Sequence, residues 1–183
     1  MNKNFTSENS GRRKQNSFRN TDKAMNFKRL GRILAMQYLF QCDLQEEVQN
    51  AVSLDQFWIQ AEESGKFSEE KVFRKARRYA EKLIAGVMEN QTAITETLKQ
   101  FSIRWDVNRM SVVDRNIMRV AIYELQYCPD IPVLTSIDEA IEIGKEYGSE
   151  RSGVFINGIL NGVKDSLPAD AKRTLPRSEN NNQ

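Results

Sequence analysis

Histidine is absent from this 183-residue sequence, and its absence excludes several kinds of catalytic site. Ser–His and Cys–His nucleophile pairs, proton transfer by imidazole and histidine metal ligands all require it. No Walker A pattern and no G-x-G-x-x-G pattern appears either. One S-x-x-K string, Ser68 to Lys71, lacks the companion motifs of serine acyl-transfer enzymes, and Ser68 is better interpreted as a helix N-cap. An enzyme built on this chain would have to use carboxylates, lysine, tyrosine or a cofactor.

Cysteine and long apolar runs are scarce as well. The two cysteines, Cys42 and Cys128, are far apart and form no Cys-x-x-Cys motif, so we expect free thiols, buried or half-buried, and no zinc site. No apolar run approaches the ~20 residues needed to span a bilayer. The basic N-terminus is not followed by the apolar stretch of a secretory signal. We therefore expect a cytoplasmic protein without a membrane partner, a metal or a cofactor.

The net charge of +2 hides a strong asymmetry along the chain. Residues 1–32 contain nine basic and two acidic side chains, whereas the other 151 residues contain 18 basic and 23 acidic ones. A basic arm on a mildly acidic body is typical of a protein with a polyanionic partner, most often a nucleic acid. The alternative is a solvated tail that only improves solubility, and charge alone does not separate the two.

Hydrophobic periodicity predicts helices and no convincing strand. Residues 1–24 are rich in Asn, Ser, Lys and Arg and are predicted to be a disordered basic tail, and residues 168–183 a second tail. Between them, 25–167 contain apolar residues at spacings of three and four, which predict about seven helices with short links. One is expected at 53–63 with Ser53 as its cap, and a later one carries a basic stripe of the kind that is usually just solvated. A helix that starts near Val133 is expected to stop at Gly148, and Ser149 or Ser152 is expected to cap the last helix. The sequence therefore predicts an all-α domain.

The stretch SVVDRNIMRVAIYEL, residues 111–125, contains an unusual pair of cations. As a helix it places Arg115 and Arg119 four residues apart on one face, where like charges repel by a few tenths of a kcal/mol. One interpretation is a structural ion pair with an acid of the next helix, and the other is contact with a polyanionic partner. We favour the structural interpretation for Arg115 and leave both open for Arg119. The candidate acids are Asp138, Glu139 and Glu142.

A family resemblance appears in the same region. The strings DRNIMRVAIYEL and IPVLTSIDEAIEIGKEYGSERSGVFINGIL resemble the C-terminal half of the NusB family, and KRLGRILAMQYLFQCDL resembles its first helix. The resemblance covers about residues 26–167. The chain departs from the family pattern at Asp138, where Asn is usual, at Phe40, where Tyr is usual, and at Gly144. The matching positions in the C-terminal half are Asp114, Arg115, Arg119, Glu124, Leu125, Pro132, Glu139, Ala140, Glu142, Lys145, Gly148, Ser152, Phe155, Asn157, Gly158 and Leu160.

The resemblance implies a fold and a function. NusB-like proteins are all-α, with about seven helices in two small packed helical bundles, and they catalyse no reaction. They bind single-stranded boxA RNA jointly with the ribosomal protein NusE. The assembly joins the RNA polymerase elongation complex with other Nus factors and promotes processive transcription of ribosomal RNA operons. A homodimer is a further partner that the sequence leaves open.

The resemblance also implies which residues meet each partner. Phe155 matches an aromatic residue near the RNA and could stack on a base, although its inward helical phase also allows plain core packing. Phe40 and Asp114 match positions that face NusE, and we expect Asp114 on the polar side of its helix. The residues implied for RNA binding are Lys28, Arg29, Arg32, Arg119, Arg151 and Phe155.

Two other classes of protein are alternatives. A NusB-like module precedes the catalytic domain of some RNA cytosine methyltransferases, and this chain could be a stand-alone relative, although it has no glycine-rich cofactor loop. It could also be a helical protein-interaction module with an incidental basic tail. Binding of S-adenosylmethionine tests the first alternative, and binding of boxA-like RNA at two salt concentrations tests the second.

Overall fold

The computed structural model describes residues 26–46, 53–64, 70–102 and 110–168, and all regular structure in these ranges is helical. The all-α prediction is confirmed. The two predicted tails, apart from Pro168, lie outside the described residues, as does the predicted cap Ser68. The seven helices are α1 Phe27–Glu46, α2 Leu54–Glu63, α3 Glu70–Glu89, α4 Gln91–Phe101, α5 Val112–Tyr127, α6 Val133–Tyr147 and α7 Ser152–Ser166.

Short polar side chains fix where several helices begin. The Asn26 side chain accepts a hydrogen bond from the Lys28 amide at 3.0 Å, at the first turn of α1. The predicted cap Ser53 is confirmed, because its hydroxyl accepts from the Gln56 amide at 3.3 Å. Each such cap satisfies an amide that has no partner inside its helix.

The junction of α6 and α7 differs from the sequence prediction. Gly148 directly follows α6, as predicted, and its φ of −96° and ψ of −159° lie outside the left-handed region. It is required for space instead, because a Cβ there would lie 2.4 Å from the Ser152 hydroxyl oxygen. Ser149 or Ser152 was expected to cap α7, but the capping position belongs to Arg151. The Ser152 hydroxyl accepts from the Ser149 amide at 2.7 Å and so braces the turn.

Helix α5 is the central element of the fold. It packs against α1, α3, α4, α6 and α7, while α1 lies along α3 and α6 lies along α7. One continuous apolar core includes residues of all seven helices. Helix α2 closes one end through Phe57, whose ring meets the Tyr38 ring edge-on at 5.4 Å between centroids. The core thus holds α1 and α5 rigidly beside each other, which matters for the charged side chains they carry.

Candidate nucleic-acid interface

A buried carboxylate, Glu124 of α5, joins four helices. It is 0% exposed and accepts hydrogen bonds from Arg32 Nε at 2.9 Å, from the Tyr79 hydroxyl at 2.5 Å and from the Ser136 hydroxyl at 2.6 Å. Burial raises the pKa of Tyr79 well above its ordinary value, and the neighbouring Glu124 charge acts in the same direction. The phenol therefore stays protonated and remains a donor. A buried charge pair of this kind holds its helices in one arrangement because every separation of the pair is costly.

Arg32 is therefore part of the interior. The whole residue is 4% exposed, and its guanidinium bonds to the Glu124 carboxylate through Nε. RNA contact by Arg32 stays a prediction, but it would require the side chain to leave a buried carboxylate. The family resemblance could not reveal this, because a row of cations on a helix does not show which of them faces the core.

Asp43 of α1 is a second carboxylate that bonds to several side chains of another helix. Its oxygens lie 2.8 Å from Arg115 Nη2 and 2.8 Å from Arg119 Nη1, and the Asn116 amide donates to it at 2.9 Å. Burial raises the pKa of Asp43, but the hydrogen bonds from Arg119 and Arg115 outweigh that effect, so its pKa lies below the ordinary value. One buried acid thus answers both cations of the like-charged pair.

The sequence prediction named the wrong helix for this ion pair. The acid was expected on α6, among Asp138, Glu139 and Glu142, but Asp43 lies at the far end of α1. Glu139 pairs instead with Arg29 and lies 3.8 Å from Arg32. Sequence spacing indicates that two cations share a face, but it does not indicate which element covers that face.

Arg119 is also far from the predicted RNA residues at the start of α1. Its side chain is 12% exposed and is held by Asp43. Asp43 is fourteen residues beyond Arg29 along α1, which is about 21 Å of helix. RNA contact by Arg119 stays a prediction, and the geometry favours the structural interpretation for both arginines of the pair.

The start of α1 presents the accessible cations of the predicted set. Arg29 Nη2 lies 3.0 Å from a Glu146 carboxylate oxygen and Nη1 lies 3.5 Å from Glu139, both on α6. Lys28 has no carboxylate partner among the described residues, and its Nζ lies 5.8 Å from the centroid of the Tyr79 ring. Partly exposed ion pairs like those of Arg29 are weak, so a phosphate could replace them.

The turn between α6 and α7 contributes Arg151 and Phe155. Arg151 is exposed, and no carboxylate of the described residues pairs with it. It follows Glu146, the partner of Arg29, by five residues, so the two arginines flank the same end of α6. Phe155 is half-buried and packs against the core. Core packing is therefore observed for Phe155, and RNA contact by its exposed part stays a prediction.

The two residues implied for NusE lie at the opposite end of α1. Phe40 is half-buried one turn before Asp43, and Asp114 lies two residues before Asn116, which bonds to Asp43. The expectation that Asp114 lies on the polar side of its helix is wrong, because the residue is only 6% exposed. Burial raises the pKa of Asp114, and a hydrogen bond with Ser152 opposes this in part. The helical phase of the first turn of α5 did not reveal that α7 covers it.

The basic stripe predicted on α3 lies on the surface, in agreement with a solvated face. Lys71, Lys75 and Arg78 are exposed, and no carboxylate of the described residues pairs with them. Arg77 of the same helix differs, because it bonds to both Glu62 and Glu81 at 3.0 Å.

Three other expectations concern thiols, metals and membranes. Cys42 is half-buried and Cys128 is buried, and neither forms a disulfide, as predicted. Within the described ranges no three Asp, Glu, Cys or His side chains come together in a way that could hold a metal ion. None of the seven helices is both long and apolar enough to cross a bilayer.

The fold and the site together define an all-α protein whose candidate functional residues form a charged surface supported by two internal ion-pair networks. The sequence pattern of the NusB family matches residues 29–165, and the chain belongs to that family.

Individual relatives agree with this assignment. The chain is 39% identical over 140 residues to the transcription antitermination protein NusB of Bacillus cereus strain B4264, covering 76% of this chain and 98% of that protein. It is 38% identical over 143 residues to the protein of the same name from Myxococcus xanthus, covering 78% and 98%.

Solved structures show the same fold. The structure of T. maritima NusB superposes with a TM-score of 0.64 at 36% identity, covering 79% of this chain and 95% of that one. A structure of antitermination factors NusB and NusE in complex with dsRNA gives a TM-score of 0.63 at 20% identity, covering 78% and 99%. The second likeness concerns the fold alone.

Proposed function

We propose that this protein is a non-enzymatic transcription antitermination factor that binds single-stranded boxA RNA together with the ribosomal protein NusE. In this role it joins the RNA polymerase elongation complex with other Nus factors and promotes processive transcription of ribosomal RNA operons. The observation that carries the proposal is membership of the NusB family across residues 29–165. Relatives that this chain covers over 98% of their length are named transcription antitermination proteins.

The RNA surface that we propose consists of the start of α1 and the turn before α7. Lys28 and Arg151 have no carboxylate partner among the described residues, and Arg29 has only partly exposed ones. Such cations can neutralise phosphates and release counterions, which gives binding that weakens as salt increases. The exposed part of the Phe155 ring could add a stacking surface for an unpaired base, worth about 1–3 kcal/mol.

The NusE surface that we propose is the corner where the end of α1 meets the start of α5. Phe40 offers a partly exposed ring there, and Asp43 fixes the two helices against each other through Arg115 and Arg119. Because Asp114 is buried, we assign it to supporting this corner rather than to direct charge contact. Lys28 and Phe40 are twelve residues apart on α1, about 18 Å of helix, so RNA at the start of α1 leaves the corner accessible to NusE. The turn before α7 adjoins the corner, because Ser152 hydrogen-bonds to Asp114.

Fluorescence anisotropy with boxA RNA and a scrambled RNA tests the RNA surface. We expect Lys28→Gln with Arg151→Gln to weaken boxA binding and to flatten its dependence on salt by about 1.4 in log–log slope, at about 0.7 for each single-strand contact. The matched control removes two cations elsewhere, by Lys99→Gln with Lys164→Gln, and should leave the slope unchanged. Equal affinity of the wild-type protein for the two RNAs would instead favour a protein-interaction module.

A further inference from the structure

The outer face of α3 carries a line of cations, which we call the α3 strip. Its members are Lys71, Lys75, Arg78 and Lys82, and all four are exposed. At 3.6 residues per turn they fall within about 60° of the helix circumference and extend over about 16 Å. The opposite face of α3 is apolar and buried in the core, with Phe73, Ala76, Ala80 and Leu83 among its members.

Three of the four cations of the α3 strip have no carboxylate partner among the described residues. Lys82 Nζ lies 3.8 Å from an Asp130 oxygen, but Lys71, Lys75 and Arg78 have no carboxylate partner among the described residues. Cations three or four residues apart on a helix destabilise it by a few tenths of a kcal/mol per pair. The fold resolves the same conflict at Arg115 and Arg119 with one internal acid. Among the described residues, Lys71, Lys75 and Arg78 have no such acid, so an external anion could neutralise them.

An aromatic pair connects the α3 strip to the start of α1. The rings of Phe27 and Tyr79 meet edge-on, with centroids 6.4 Å apart. Lys75 Nζ lies 5.8 Å from the Phe27 centroid, and Lys28 Nζ lies 5.8 Å from the Tyr79 centroid. Lys28 of the proposed RNA surface and Lys75 of the α3 strip therefore lie near two aromatic rings that contact each other. The two cationic surfaces form one path across α1 and α3.

We infer that the α3 strip binds the phosphates of RNA that continues beyond boxA, whatever its sequence; this rests on the proposed function. Phosphate contacts hold a strand in place without reading its bases. Helices that lie on membranes expose large apolar residues beside their cations, but the large exposed apolar residue of α3 is Met88, six positions beyond Lys82. Continuity with Lys28 favours the same RNA chain over an acidic protein.

The test compares boxA RNA with boxA RNA extended by ten uridines at its 5′ or 3′ end, because uridines add phosphates with little stacking. We expect one extension to tighten binding to the full-length protein and to steepen its salt dependence. Lys71→Gln with Arg78→Gln should reduce the log–log salt slope for the extended RNA by about 1.4. Between 50 and 200 mM salt, the affinity of the variant should therefore fall about sevenfold less than that of the wild type. Lys75 is left in place because it contacts Phe27.

Two controls separate charge from structure. Lys99→Gln with Lys164→Gln removes the same charge from α4 and α7 and should keep the full effect of the extension. Lys71→Arg with Arg78→Lys preserves the charge of the α3 strip and should behave as the wild type does.

Three results would overturn the inference. The first is that neither extension changes the affinity of the wild-type protein while its preference for boxA is intact, in which case the proposed function stands alone. The second is that the neutralised α3 strip weakens boxA alone as much as extended RNA. The third is that it affects binding to anionic vesicles or an acidic protein but not to RNA. Absence of any preference for boxA over scrambled RNA contradicts the proposed function itself, and the flanking-RNA assignment with it.

Discussion

Asp43 and Glu124 show, at the scale of single residues, that most arginines on the shared face of α1 and α5 serve the fold. Each carboxylate lies inside the protein and accepts from guanidinium groups of another helix. Removing one member of a buried ion pair leaves an uncompensated charge, which costs more than the pair itself contributes. The two acids should therefore be among the most sensitive positions of the chain.

Replacing Asp43 by Asn should lower the free energy of unfolding by about 3–5 kcal/mol, because it removes the carboxylate that pairs with both Arg115 and Arg119. The lowered pKa of Asp43 adds a pH signature. Its stabilisation is complete above the pKa of the unfolded state and is lost as the pH falls through the lower pKa of the folded state. Urea unfolding between pH 2 and 7 should show this acid-dependent loss in the wild type and less of it in the variant.

Asp138→Asn is the matched control for that measurement, since Asp138 is exposed on α6 and no ion pair of the described residues includes it. Its unfolding should match that of the wild type. If Asp43→Asn were equally harmless, Asp43 would not be the acid that holds α5 against α1.

Asp114 should show the opposite pH dependence. Burial raises its pKa above the ordinary value, so the folded protein disfavours the charged form. This penalty is present when the pH lies above the folded pKa and disappears below the unfolded pKa. We expect the stability of Asp114→Asn, relative to wild type, to increase as the pH rises from 3 to 7 in urea unfolding curves. A stability difference that stays constant over this range would contradict the burial of a charged Asp114.

The sequence predicted which of these side chains need a partner, but it did not predict where the partner lies. It identified Arg115 and Arg119 as a pair that needs an acid, but it placed the acid on the next helix. Asp43 is 72 residues before Arg115 along the chain, and no local spacing connects them. The burial of Arg32 and Asp114 was missed for the same reason, since both depend on helices distant in sequence.

At the scale of helices, two glycines differ in how closely other atoms approach them. A Cβ at Gly31 of α1 would lie 2.9 Å from the Ala76 carbonyl oxygen of α3 and 2.8 Å from the Tyr79 ring, whereas a Cβ at Gly158 of α7 would meet nothing within 4 Å. Both residues lie inside helices, where alanine is favoured over glycine by about 1 kcal/mol. Only the surroundings differ.

Gly158→Ala should therefore raise the free energy of unfolding by up to about 1 kcal/mol, and Gly31→Ala should lower it, because α1 and α3 must separate. Thermal and urea unfolding of the two variants, measured side by side, check the prediction. Stabilisation by both substitutions would show that α1 and α3 do not approach as closely as described.

Helices were the most predictable feature of the fold. Apolar spacing located them because each one buries a single stripe, and the start of α2 at Ser53 and the end of α6 near Gly148 agree with local signals. The cap of α7 was wrong because Ser152 braces the preceding turn instead of preceding the helix. The fold class can therefore be predicted from local periodicity. The central position of α5 depends on contacts between helices that are distant in sequence, and no single segment predicts these contacts.

At the scale of the whole molecule, the cations that stabilise the fold lie at different places from the cations that a ligand could contact. Among the described residues, cations that meet internal acids lie between α1 and α5. Cations without a carboxylate partner lie at the start of α1, on α3, at Arg151 and at Lys99 of α4. The basic arm of residues 1–24 lies outside the described residues, and its contribution to RNA binding stays a prediction from composition. The unanswered cations are the part of the surface that a polyanion can stabilise.

The most direct test of the central claim is a boxA RNA titration with and without NusE. We propose that boxA RNA is bound jointly with NusE, so each ligand should increase the affinity of the other, and linkage requires the two factors to be equal. We expect tighter boxA binding when NusE is saturating, an equal gain in NusE affinity when boxA is saturating, and neither gain with scrambled RNA. BoxA affinity that is the same with and without NusE would contradict the account.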